Sequence, residues 1–459
     1  MASSDLPRGY TWRSSSAFIV FTAVLALFTE GILYSLIVPI LSYMIEVRLG
    51  QPLSQTQWYT AALLATHGFF SMTSAPIIGH FADKTSDRKT LLLLSLAGCA
   101  AGTGLLALTP SVWGLFLGRI LQAISGSAAW IVAFATIADN VAPEHLGKTL
   151  GLASSFVSAG IISGPAVSGT LLELAGYWAV WVMPLLLIVV GLVARLVMIE
   201  GSRRDALRDR KDQPSEARNA PGEESEQRSL LASAASPPSP DTTRDSDTTP
   251  DPNSQPRDTF YTLVLGDIRV IIGLINTLLF ATIVASFDST LPLHLRHIFG
   301  WGSLPAGMIF LCLQIPAPFL NPLAGVLRDR VGLRYPTTAG WMLVAVLLWV
   351  LGVPGSGLVL ADEQKIGKIV FVATAVGIGA ALPLVRGVAM IQVMGIVNEI
   401  QSQSPGVLGK HGATSKVFSS VEVAFNLGTT LGPLVAGSLL EVLGFYYTSC
   451  VLGESKLNT

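Results

Sequence analysis

Apolar residues in this chain gather into long unbroken runs separated by short polar clusters, not into the period-two alternation of half-buried strands. A bilayer core needs about 20 mostly apolar residues per helix. That rule predicts six spans over 17–45, 56–81, 90–109, 112–138, 148–173 and 178–199, and five more over 264–293, 302–327, 336–353, 367–397 and 413–440. A twelfth run opens after Gly444 but turns polar at Glu454-Ser455-Lys456, so that span is expected to be missing or stunted. Residues 200–258 are rich in Ser, Pro, Asp, Arg and Thr and include Ser236-Pro237-Pro238-Ser239-Pro240. Such a segment has too little apolar surface to order itself. The expected organisation is an all-α membrane protein with a tail (1–16), a six-helix bundle (17–199), a disordered linker (200–258) and a second helix bundle, incomplete at its end (259–459).

The two bundles carry repeated marks. Gly160, Gly164, Pro165 and Gly169 recur at the same spacing as Gly428, Gly432, Pro433 and Gly437. Gly79, Asp83 and Arg88 recur as Gly325, Asp329 and Arg334. Two pairs in the same order point to two related, pseudo-symmetric halves. Glycines four apart allow helices to approach closely, and a proline removes a backbone donor, so the first set is expected to form a packing surface or hinge. The second set lies on connections between spans. Asp83 is expected to cap the next helix and pair with Arg88, forming a latch that breaks when the halves rock.

Composition sharpens the class. Of 459 residues, 51% are hydrophobic and only 13% charged, about half the charge of soluble domains. A net charge of -1 gives no hint of a nucleic-acid partner. Cys99, Cys312 and Cys450 have no metal or disulfide spacing. The first run is too long for a signal-peptide core and contains Glu30, so it is read as a retained span. Lys and Arg concentrate in the tail, the even-numbered connections and the linker, while the other side shows only Arg48, Arg296, Lys365 and Lys368. By the positive-inside rule the N-terminus and linker face the cytoplasm.

The candidate chemistry is carboxylate at bilayer depth. Glu30 lies in the first span, Asp288 in the seventh and Glu422 in the eleventh, with Asn426 one turn after Glu422 on the same face. A charged side chain at that depth costs at least about 2.5 kcal/mol, so it faces the bundle interior or a wet cavity. Burial favours the protonated carboxyl and an arriving cation favours the ionised one. Such a group can release a proton as a cationic substrate binds. The bland alternative is a structural ion pair with Arg119 or Arg386, the two deep arginines. His67 in the second span is either a helix-to-helix hydrogen bonder or a relay.

With these residues placed, the chain resembles the major facilitator superfamily, and within it the proton-coupled drug antiporters close to vesicular amine transporters. The turn from Gly79 to Lys89 is similar to the superfamily's loop between spans two and three, and Gly160 to Pro165 to the antiporter signature of span five. Glu30 before Val38-Pro39-Ile40, Asp288 before Leu291-Pro292, and Glu422 before Gly428 and Gly432-Pro433 resemble the acids of the amine-transporter branch. The resemblance implies that Glu30 recognises a substrate amine and that Glu422 and Asp288 join the proton and substrate network. The chain departs from that branch at His67, where a lysine is usual, near Arg386-Gly387, where an acid is usual, and at Ala123 and Ser125, where small glycines are expected after Arg119.

The expectation is a monomeric multi-pass transporter of the plasma membrane or a vacuolar or vesicular membrane. It would exchange protons for drugs or amines with no cofactor, metal or nucleic acid, through a site at the interface of the halves. Two alternatives stand beside it: a facilitative metabolite uniporter, and a non-transporting or inactive truncated product. No metal cluster, phosphate loop or nucleophile triad suggests an enzyme.

Overall fold

The computed structural model describes residues 9–85, 88–141, 143–199, 264–354, 364–403 and 414–454. The predicted linker, the first eight residues and the last five lie outside them. Among the described residues the regular structure is entirely helical, and eleven helices are long and apolar enough to cross a membrane. In chain order they are α1 (Ser16–Arg48), α2 (Leu53–Lys84), α3 (Arg88–Leu108), α4 (Val112–Asn140), α5 (Pro143–Ala175), α6 (Tyr177–Val197) and α7 (Ile268–Phe299). Then come α8 (Ser303–Gln314, resumed as Pro316–Val331), α9 (Arg334–Gly352), α10 (Gln364–Ala381, resumed as Val388–Gln403) and α11 (Thr414–Glu454).

The glycine repeats set the register. Gly160 and Gly164 of α5 lie against α1, where an added Cβ would meet the backbone of Phe28, Gly31, Ile32 and Leu36. Gly428 and Gly432 of α11 lie against Leu278, Ala281, Thr282 and Ser286 of α7 in the same way. The displacement is 250 residues between α1 and α7 (28 to 278, 32 to 282) and 268 between α5 and α11 (160 to 428, 164 to 432). The same backbone approach is thus built twice, and it makes the halves pseudo-symmetric. Pro165 and Pro433 sit inside α5 and α11 without interrupting either helix. The Pro165 carbonyl packs on Gly307 of α8, and Gly169 packs on Ser303 and Gly307, so this stretch joins the halves. Gly437 likewise meets Ala61 and Gln57 of α2.

Two predicted continuous elements are interrupted, and a third break falls where the sequence pattern places the start of a twelfth run. The eighth span breaks at Ile315 before Pro316, and the tenth at Leu382–Leu384, a 3₁₀ turn around Pro383 followed by Gly387 at φ 80°. Proline removes the donor that would continue each ladder. In α10 the freed carbonyls find side chains: Arg328 donates to Pro383 O and Arg386 O, each at 2.7 Å, and Asn276 donates to Val385 O at 2.8 Å. Non-helical backbone at membrane depth survives only with such partners. The third break is Gly444 at φ 78° and ψ 171°, nearly the φ 81° and ψ 179° of Gly176, which separates α5 from α6. Residues 445–454 therefore begin the predicted twelfth helix, and about 15 Å of rise covers half of a bilayer core. Phe445 stacks on His294 at 3.5 Å between centroids, which seats this short helix on α7.

The two ends of the bundle are held differently. Arg13, Lys89 and the end of α6 meet at one end, through Arg13 to Val197 O and Lys89 to Met198 O, each at 2.6 Å. At this linker-side end, Asp83 of α2 accepts from Ser415 N of α11 at 3.3 Å, and Gly79 packs on Ser419. Asp83 thus caps α11, not α3. Arg88 instead pairs with Asp139 of α4 at 2.7 Å and reaches Ser415 Oγ at 3.3 Å. The expected Asp83–Arg88 pair is not formed, because the positive end of the α11 dipole holds the carboxylate. In the other half Gly325 opens onto space and Arg334 is exposed, while the Asp329 side chain lies outside the description. The far end is tied by Arg296 of α7 to Glu46 of α1 at 2.8 Å and by Glu173 of α5 to Leu304 N of α8 at 3.1 Å.

Candidate transport site

A cavity of about 690 Å³ lies between the halves, within the size range of small-molecule sites. Glu30, Tyr34, His67, Glu422 and Asn426 line it, as do Arg328 and Arg386. Its lining continues through Ser154 and Gly151 of α5 and Asn321 and Gly325 of α8, so it extends toward the linker-side end between those helices. The α2–α11 seam, by contrast, is packed at Gly79, Gly68 and Gly437 along its length.

Glu30 is delivered by close approach. Gly31 lies on Val157 O of α5, at a distance where a Cβ would stand 2.8 Å away, and Gly126 of α4 leaves the space that the Glu30 carboxylate occupies. Cys99 Sγ of α3 lies 3.6 Å from Glu30 Oε2. Glu422 accepts from Asn426 Nδ2 at 2.8 Å, one turn later on the same face. The two carboxylates line the same cavity from opposite halves.

Asp288 does not line the cavity. It sits behind Tyr34, whose hydroxyl donates to Asp288 Oδ2 at 3.2 Å. The glycine register explains the difference. The α7 counterpart of Glu30 is Phe280, and Asp288 falls two turns further along. The apparent likeness of the two acids, each ahead of a proline, is therefore not a structural equivalence. All three acids are about 8% exposed, and among the described residues none has a Lys or Arg within ion-pair distance.

The arginines also depart from expectation. Arg119 is fully buried behind the cavity wall and donates to Gln122 Oε1 at 2.7 Å, and Gln122 passes the chain to Thr103 at 3.2 Å. Among the described residues it makes no ion pair with Glu30 or Asp288. Arg386 donates across the halves to Ser158 Oγ at 2.7 Å and lies over the Phe280 ring at 5.9 Å. His67 packs on Tyr34 at 5.6 Å, and its Nδ1 has no hydrogen-bond partner. Sequence reasoning missed Tyr34 and Arg328. Tyr34 was within reach, since it follows Glu30 by one turn on the same face. Arg328 was not, because the pattern from Gly325 to Arg334 reads as part of a latch between spans and gives no sign that this side chain bonds the broken turn of α10.

Comparisons with known proteins agree with this architecture. The model of the family described as Major Facilitator Superfamily matches residues 23–409. An uncharacterized MFS-type transporter of Schizosaccharomyces pombe is 27% identical over 443 residues, covering 94% of this chain and 92% of that protein. The MFS-type transporter ppzB of Metarhizium rileyi is 26% identical over 95% of this chain and 92% of its own length. A class D tetracycline resistance protein of Salmonella ordonez is 37% identical over 134 residues, 29% of this chain and 33% of that one. Among solved structures, the nucleoside transporter NupG superposes with TM-score 0.62 at 12% identity, over 96% of each chain. The human organic anion transporter MFSD10 superposes with TM-score 0.59 at 16% identity, over 96% of this chain and 98% of that one.

Proposed function

Because this chain belongs to the major facilitator superfamily, we propose that it is a proton-coupled antiporter, moving a cationic or amphipathic small organic molecule such as a drug or amine out of the cytoplasm. The observation that carries this reading is that Glu30 and Glu422, one from each half, line one cavity without an ion-pair partner among the described residues. A cation entering between them favours their ionised form, and its departure favours protonation. Each carboxylate then carries either substrate or proton. The α1–α5 and α7–α11 glycine contacts keep each half rigid, and the halves rock against each other along the α5–α8 and α2–α11 contacts to expose the site alternately. Partial similarity to tetracycline resistance proteins supports efflux of drug-like molecules. The Lys and Arg bias supports a cytoplasmic linker, in the plasma membrane or a vacuolar one. Asp288 acts through Tyr34 as a third acid, and the molecule works as a monomer.

The test is proton flux in proteoliposomes loaded with a pH-sensitive dye and challenged with a panel of cationic drugs and amines. Compounds that are transported should drive proton movement against an imposed gradient, and Glu30→Gln should abolish it. Transport that ignores the pH gradient would overturn the antiport reading in favour of facilitated diffusion.

A further inference from the structure

The cavity's charges are segregated by wall. Glu30, His67, Glu422 and Asn426 come from α1, α2 and α11, whereas Arg328 and Arg386 come from α8 and α10. The 268-residue displacement makes Ser158 of α5 the counterpart of Asn426 of α11. Arg386 is bonded to Ser158 and Glu422 to Asn426, so guanidinium and carboxylate stand at matching depth on opposite seams.

We propose that the physiological substrate is dipolar, with its cationic group between Glu30 and Glu422 and an anionic or strongly electron-rich group on Arg386 beside Arg328. This rests on the antiport reading for the cationic end and goes beyond it for the other. Three observations carry it. Among the described residues no carboxylate pairs with Arg328 or Arg386. A desolvated charge without a counter-ion is costly, and one hydroxyl and a ring face at 5.9 Å leave most of the Arg386 fork without a partner of opposite charge. Finally, the break in α10 fixes the backbone that carries the fork, since Arg328 bonds the Arg386 carbonyl at 2.7 Å and Gly387 at φ 80° turns the chain directly after it, while the Ser158 hydroxyl holds one arm of the guanidinium at 2.7 Å. A guanidinium held in place, lining a cavity and lacking an anion is suited to a carboxylate.

The experiment uses the purified full chain in lipid nanodiscs with two probes of one shape: rhodamine B, a zwitterion with a free carboxylate, and its methyl ester, a plain cation. Binding is followed by fluorescence polarisation and proton release by a pH indicator. The expected result is that rhodamine B binds about tenfold more tightly than the ester. That ratio should fall to about one in Arg386→Gln and Arg328→Gln and recover in part in Arg386→Lys. A ratio near one in the unsubstituted protein, binding of neither dye, or equal weakening of both dyes by Arg386→Gln overturns the proposal. So does ester binding that rises when gluconate is replaced by chloride, since Arg386 would then hold an inorganic ion. If the ester releases protons while the ratio stays near one, antiport stands and the dipolar substrate falls. An Arg386-dependent ratio without proton release means the reverse.

Discussion

Glu30 owes its place to what is missing beside it. Gly126 has no Cβ, and the carboxylate occupies that space; Gly31 has none either, and α1 therefore sits directly on the α5 backbone. Gly126→Ala is thus expected to displace the carboxylate, weakening cation binding by about tenfold, in keeping with a lost charged contact, while the protein stays monodisperse on gel filtration. Unchanged affinity in this variant would mean that Glu30 does not touch the substrate. Tyr34 is the residue through which Asp288 reaches the cavity. In Tyr34→Phe the effect on transport should match that of Asp288→Ala, because each removes the same hydrogen bond; an Asp288→Ala defect without a Tyr34→Phe defect would give Asp288 a separate role.

Among the helices, length and hydrophobic pattern made the spans readable, and the repeated glycines made the two halves readable, because close approach leaves a mark in the sequence that packing of larger residues does not. The breaks in α8 and α10 were harder to read. A proline inside a membrane helix can be absorbed without interruption, as at Pro165 and Pro433, or can end the ladder, as at Pro383, and the outcome depends on whether a distant side chain such as Arg328 meets the freed carbonyls. The partner of Asp83 was hidden for a similar reason, since Ser415 N lies 332 residues away on another helix. Gly160→Leu and Gly428→Leu should each push apart a helix pair, lowering stability by about 1–3 kcal/mol from overpacking and the thermal midpoint of the purified protein with it. A midpoint equal to that of the unsubstituted protein in both would show that the contacts are looser than the structure has them.

For the molecule as a whole, the halves are latched at both ends but unequally. The far-end pair of Glu46 and Arg296 has its arginine about half exposed, and surface pairs contribute about 0–1 kcal/mol. Glu46→Gln should therefore change exchange rates less than about threefold. Asp83→Ala removes the cap from α11 and should shift the resting conformation further, seen as greater labelling of a cysteine placed at Ser154 in a background without the native cysteines. The central claim is that Glu30 and Glu422 exchange a proton for a cation in one shared cavity. It is tested most directly by counting protons released when the rhodamine B methyl ester binds the purified protein in weakly buffered solution. About one proton per dye is expected, falling toward zero in Glu30→Gln and Glu422→Gln, whereas dye binding with no proton released in the unsubstituted protein would contradict it.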